Sequence, residues 1–193
     1  VYNKIIMSVT GQYKQLVELK VLKLDNQQYN AALALDELSQ KLTKVQSQLV
    51  RFKSIKKLIT KPEVIQGIYF HGRVGRGKTM LMDLFYQQLN LTRKRRIHFH
   101  HFMESVHQML NDLSGKANPL ALIAKAWSKD VDVICFDEFF VNDIGDAMLL
   151  AGLLNAMLSQ GIILVATSNF PPDQLYKNGL QRARFLPAID LIN

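Results

Sequence analysis

GRVGRGKT, Gly72 to Thr79, is the most informative stretch of this chain. It fits G-x-x-x-x-G-K-[ST], and phosphate chemistry accounts for each fixed position. The glycines let backbone N–H groups close around phosphate oxygens, the lysine reaches the terminal phosphates, and the threonine hydroxyl ligates magnesium. Average residue usage produces the pattern by chance in about one chain in a hundred of this length. An ordinary glycine-rich turn is the competing reading, and the flanks decide against it. GIYF, Gly67 to Phe70, reads as a short apolar strand, and MLMDLFYQQL, Met80 to Leu89, as an amphipathic helix that Lys78 and Thr79 open. The expected nucleotide-binding set is Gly72, Arg73, Val74, Gly75, Arg76, Gly77, Lys78, Thr79 and Met80, with Thr79 also a magnesium ligand.

Downstream of this loop, strand and helix patterns alternate. RRIHFHH (Arg95 to His101) reads as strand and FMESVHQMLNDL (Phe102 to Leu113) as a helix ended near Gly115. PLALIAKAW reads as a helix with Asn118 as its cap and Pro119 at its first position. VDVICFDE (Val131 to Glu138) is a buried strand, followed by a helix from Asp143 to Gln160 and the strand IILVATSN (Ile162 to Asn169). Such alternation predicts an α/β fold, a three-layer doubly wound parallel sheet with ligands at the carboxyl ends of its strands. Ala147 to Ala166 is apolar enough to raise a membrane span. Gly161 at a helix C-cap and the β-branched run after it argue instead for a buried helix followed by a buried strand.

VDVICFDE delivers two adjacent carboxylates at a strand's carboxyl end, where a magnesium nucleotide lies in this architecture. Asp137 is expected to hold the magnesium and Glu138 to polarise the attacking water as the base. One strand later, ATSN ends in polar side chains, and Asn169 is placed to orient that water; a capping role before Pro171 and Pro172 is the alternative. Arg182 and Arg184 lie 13 and 15 residues beyond Asn169, in LQRARFLPAI, a stretch too rich in leucine, phenylalanine and proline to be a floppy tail. Either is a candidate arginine finger acting on a neighbouring subunit, which implies a ring or filament. Surface salt bridging is the other reading. His98 and His100 on one strand face, with His101 and His107 following, raise a zinc site, but packing histidines suit the missing cysteine and carboxylate ligands better. The run RKRR, Arg93 to Arg96, reads as a solvated loop before it reads as a nucleic-acid contact.

The composition, 48% hydrophobic and 21% charged with a single cysteine, describes an ordinary soluble globular protein and suggests the cytoplasm. No signal peptide is visible at the N-terminus, and a start at Val1 suggests trimming. The net charge of +8 is concentrated in residues 1–62, which hold 11 Lys and Arg against 4 Asp and Glu. That bias reads either as a solvated face or as a surface for an acidic partner. From Tyr2 to Leu24 only short helical or extended pieces are expected. Asp25 then reads as an N-cap, and Leu35, Leu38, Leu42, Val45, Leu49 and Phe52 form one stripe on a long helix, suited to packing on the body of the protein rather than on a partner helix. Lys53, Lys56, Lys57 and Lys61 lead into Pro62, where a boundary separates a basic, mainly helical segment, 1–62, from a core, 63–193.

VGRGKTMLMDLFY, HFHHFMESVH, CFDEFFVNDIGDAMLL, LVATSNFPPDQLY and NGLQRARFLPAI together resemble the blocks of the ZapE-like AAA+ ATPases of bacterial cell division, a family shared with the mitochondrial lactation-elevated proteins. The resemblance covers most of the chain from Gly67 onward and, more loosely, Tyr13 to Leu38. It implies a P-loop core of AAA+ type that hydrolyses ATP to ADP with magnesium, sensor-1 duty for Asn169, and finger candidates in Arg182 and Arg184. It also implies a homo-oligomeric ring and a link to the division ring protein FtsZ or another protein substrate, remodelled in the cytoplasm at the inner face of the membrane. Peripheral membrane association fits that location, and no sequence-specific nucleic acid is expected. Arg73 stands where the family has a second glycine. The family continues past the finger block, so the resemblance implies a fragment without the C-terminal region. A helicase-loader or initiator-like ATPase, using the basic N-terminal segment on nucleic acid, is the alternative.

Overall fold

The computed structural model describes residues 7–52 and 65–193, with the side chains of residues 46–52 outside that description. Of the described residues, 7–52 and 65–67 with 77–92 form one compact unit, and 68–76 with 93–193 form another.

The first unit is helical: α1 (Val9–Glu18), α2 (Asn26–Phe52) and α3 (Lys78–Gln88). Asp25 caps α2 as expected, its carboxylate accepting the N–H groups of Gln27 and Gln28 at 2.8 and 3.2 Å. Leu35, Leu38 and Leu42 of the α2 stripe are buried, and both α1 and α2 contact α3. Each such leucine contributes about 1.5–3 kcal/mol relative to exposure, so this part of the stripe packs within the chain. The side chains of Leu49 and Phe52, the lysines from Lys53 to Lys61 and the boundary at Pro62 lie outside the described residues. Within the expected Tyr2 to Leu24 stretch, the described residues, from 7 onward, hold the short helix α1, pinned at its start by Asp36 of α2. That buried carboxylate accepts the N–H groups of Val9 and Thr10 at 2.6 and 3.0 Å, along with the Thr10 hydroxyl. Tyr13, midway along α1, accepts the Asp25 N–H on its hydroxyl at 3.0 Å.

The second unit holds β1 (Ile68–His71), β2 (Lys94–His98), β3 (Val133–Asp137) and β4 (Ile163–Ser168) in one parallel sheet ordered β1-β4-β3-β2. With it come α4 (Phe99–Asp112), α5 (Pro119–Trp127), α6 (Ile144–Ser159) and α7 (Leu186–Ile192). All five residues of β3 are buried, the pattern of a strand covered on both faces. Phe102 joins Trp127 and Phe136 at ring separations of 5.1 and 4.7 Å in the core beneath α4 and α5.

The apolar stretch from Ala147 to Ala166 is divided as expected. Gly161, at φ 79°, ends α6 in a Schellman arrangement: Ile162 N–H reaches the Met157 carbonyl and Gly161 N–H that of Leu158, at 3.1 and 2.9 Å. β4 follows at Ile163. Among the described residues, no helix is long and apolar enough to cross a membrane. One boundary differs from the sequence reading. β2 stops at His98 and α4 starts at Phe99, three residues before the expected helix start, because Phe99, Phe102, Met103 and Val106 form a buried stripe at helical spacing. His98 and His100 therefore share no strand face. Asn118 precedes α5 as expected but makes no side-chain cap; it adopts φ 52°, a conformation asparagine tolerates better than most residues.

Candidate nucleotide site

In a parallel sheet all carboxyl ends lie on one edge, and the register fixes what arrives there. His71 of β1 pairs with Ser168 of β4, Phe136 of β3 pairs with Ala166 of β4, and His98 of β2 pairs with Asp137. The phosphate loop leaves β1 at that edge, and Asp137, Glu138 and Asn169 end their strands or follow them directly. Loop residues Gly72 to Arg76 belong to the sheet unit. Gly72 N–H donates to the Ser168 carbonyl at 3.2 Å, so the loop starts tied to β4. Val74 is 82% exposed at its tip, with Arg73, Gly75 and Arg76 exposed around it.

The loop's second half opens α3. Gly77 is the N-cap at φ 78°, and a Cβ there would stand 2.9 Å from Nε2 of Gln28. Conformation and space both demand glycine, which leaves no cap side chain over the helix start. The N-terminal end of a helix carries partial positive charge and N–H groups that suit a phosphate. Lys78 is half-buried, and burial lowers the pKa of its ammonium group. Thr79 is exposed and Met80 half-buried in the same turn.

Asp137 is 7% exposed and engaged by a guanidinium. Arg96 donates from Nε and Nη2 to its two oxygens, at 2.6 and 3.1 Å. Arg96 belongs to the RKRR run, and two of its exposed neighbours have partners as well. Arg93 pairs with Asp132 at 2.8 Å, and Arg95 stacks 4.7 Å from the Trp127 ring centroid. The run is not a loop, since Lys94 to Arg96 lie in β2, although Arg93 and Arg95 remain exposed.

Glu138 sits at φ 54°, a left-handed conformation that costs a non-glycine residue roughly 1–2 kcal/mol. Bonds from β4 hold the turn. Thr167 Oγ1 accepts Glu138 N–H at 3.3 Å, the Thr167 carbonyl accepts Phe139 N–H at 2.7 Å, and the Ser168 hydroxyl donates to the Phe139 carbonyl at 2.6 Å. The Glu138 side chain is 80% exposed, with Nδ1 of His98 at 3.9 Å. Asn169 is exposed one residue past β4. Thr167 and Ser168 were read only as the strand leading to Asn169; periodicity marks them as strand but cannot say which backbone groups their hydroxyls meet.

Arg182 and Arg184 flank one 3₁₀ turn ahead of α7, and Phe185, Ala188 and Ile189 pack into the core, so the block is ordered as expected. Arg182 is half-buried and donates to the Asp173 carbonyl, whereas Arg184 is exposed and reaches Oε1 of Gln181 at 3.0 Å.

The histidines are surface groups rather than packing ones. His100 and His101 meet Glu104 at 3.2 and 2.9 Å, and His107 meets Asp146 at 2.7 Å. Among the described residues, no three His, Cys, Asp or Glu side chains are grouped to hold a metal. Magnesium needs no such cage, since it takes one or two protein oxygens along with phosphate and water. The exposed hydroxyl of Thr79 is a hard oxygen donor of the kind it takes, whereas both carboxylate oxygens of Asp137, the other expected ligand, are bonded to Arg96. Burial raises the Cys135 thiol to a pKa of about 12, which keeps it protonated and inert.

The AFG1-like ATPase family profile matches residues 7–193. Cell division protein ZapE of Escherichia coli strain K12 is 62% identical over 133 residues, 69% of this chain and 36% of that protein. Lactation elevated protein 1 homolog B of Danio rerio is 46% identical over 144 residues, 69% of this chain and 29% of that protein. The chain thus spans about a third of the length of these relatives. The crystal structure of DnaI superposes with a TM-score of 0.55 at 16% identity, covering 90% of this chain and 85% of DnaI, a likeness of fold alone. With the matching profile running from the first described residue through the sheet and its loop to the last, the chain belongs to the AFG1-like ATPase family.

Proposed function

We propose that this chain carries the catalytic core of a magnesium-dependent ATPase that couples hydrolysis to remodelling a protein partner in cell division. The parallel register that brings the start of the phosphate loop, Glu138 and Asn169 to one sheet edge is the observation that supports it most. In this reading Gly72 to Met80 take the phosphates of ATP, with Lys78 facing the terminal ones. Thr79, and Asp137 once released by Arg96, would hold magnesium, which would neutralise charge on the phosphates. Glu138, exposed on its strained turn, accepts the proton of the attacking water, and Asn169 orients that water. Arg184 is the better candidate to reach a second subunit, because it is exposed while Arg182 is anchored to the Asp173 carbonyl. The name of the bacterial relative supports the cell-division context; FtsZ at the division site, which the family resemblance implies, is the proposed protein substrate.

ATP turnover measured against protein concentration, alone and with FtsZ or DNA added, tests this reading. Specific activity is expected to rise with concentration, because a finger acting between subunits works only in an assembly, and to rise again with FtsZ. Stimulation by DNA with no response to FtsZ would replace the protein-remodelling assignment.

A further inference from the structure

We infer that Ser168 is a positioning residue that ties the first glycine of the phosphate loop, the Glu138 turn and the Asn169 turn into one unit, and that it sets the rate of hydrolysis through Glu138. The inference rests on the reading of Glu138 as the base.

β4 is the strand that neighbours both β1 and β3, so its carboxyl end alone can touch the loop's strand and the acid strand at once. Ser168 is its last residue and is 1% exposed. Its carbonyl accepts Gly72 N–H at 3.2 Å. Its hydroxyl donates to the Phe139 carbonyl at 2.6 Å and accepts Phe170 N–H at 3.1 Å. Phe139 directly follows Glu138, and Phe170 directly follows Asn169. One hydroxyl therefore holds the turn after each candidate catalytic side chain, while the same residue's main chain holds the entry to the loop. The Tyr69 hydroxyl, donating to the Phe170 carbonyl at 2.8 Å, fixes the Asn169 turn from the β1 side.

The chemistry selects serine. A hydroxyl donates and accepts at once, alanine does neither, and a thiol of similar size does both weakly. Without the hydroxyl, Glu138 keeps its carboxylate but loses part of what holds its left-handed turn. Displacement of a catalytic group by about 1 Å costs roughly a hundredfold in rate. A purely architectural serine would weaken the fold without acting through Glu138.

The test is a double-mutant cycle in the intact protein, with ATP affinity measured by equilibrium binding and hydrolysis by single-turnover assay. Ser168→Ala is expected to slow hydrolysis about 10- to 100-fold with ATP affinity little changed. In the Glu138→Gln background the same substitution is expected to cost almost nothing more, because the group it positions is already disabled. Ser168→Cys preserves volume and is expected to match Ser168→Ala. A wild-type rate in either Ser168 variant, or an equal fold loss in both backgrounds, overturns the positioning role and leaves Glu138 in place. A wild-type rate in Glu138→Gln alone removes Glu138 as base, and the inference falls with it.

Discussion

Arg96 shows how much of this site depends on a single pairing. Its guanidinium occupies both oxygens of Asp137, and the two side chains are only 21% and 10% exposed. Removing one partner from such a pair strands a carboxylate with little water to replace the lost bonds. Arg96→Met is therefore expected to lower stability by about 1–3 kcal/mol, below the figure for a fully buried pair because some solvent reaches both groups. Chemical denaturation reads that loss. Magnesium alone should restore more stability to the variant than it adds to the wild type, since Asp137 then lacks its resident cation; an unchanged denaturation midpoint would contradict the pairing. The close of β3 at Asp137 and Glu138 was legible in the sequence, because the buried apolar run VDVICF stops there. Arg96 was not, because register decides which cation of RKRR lies beside which acid, and periodicity carries no register.

Among elements, the helices divide into those with local signals and those without. The Asp25 cap, the leucine stripe and Gly161 each announced a helix boundary or face through its immediate neighbours. The β2–α4 junction did not. RRIHFHH carries strand and helix patterns over the same residues, and burial of Phe99 beside Phe136, at 5.7 Å between ring centroids, settles it for helix. The clamp on α1 was also invisible, since Asp36 lies 27 residues beyond the amide of Val9 that it accepts. Asp36→Ala should cost about 1.5–3 kcal/mol, the range for hydrogen bonds to a charged group. Native-state hydrogen exchange should show α1 losing protection first. Unchanged exchange in α1 would mean that apolar packing alone holds that helix.

At the scale of the whole molecule, alternating strands and helices made a parallel α/β sheet legible, but not its order. β4 inserts between β1 and β3, and β2 takes the far edge. Nothing local to a strand names its neighbours, and that order is what sets the Asn169 turn between the loop and the acids. The proposed division of labour follows: the loop binds ATP, and the carboxylate on the Glu138 turn drives hydrolysis. Side-by-side measurement of ATP affinity and turnover in Lys78→Ala and Glu138→Gln tests this most directly. Lys78→Ala is expected to weaken ATP binding about 10- to 100-fold, the equivalent of one charged hydrogen bond. Glu138→Gln is expected to bind ATP normally and turn it over about 10²–10⁴ times more slowly. Normal turnover in Glu138→Gln, or unchanged affinity in Lys78→Ala, would contradict the account.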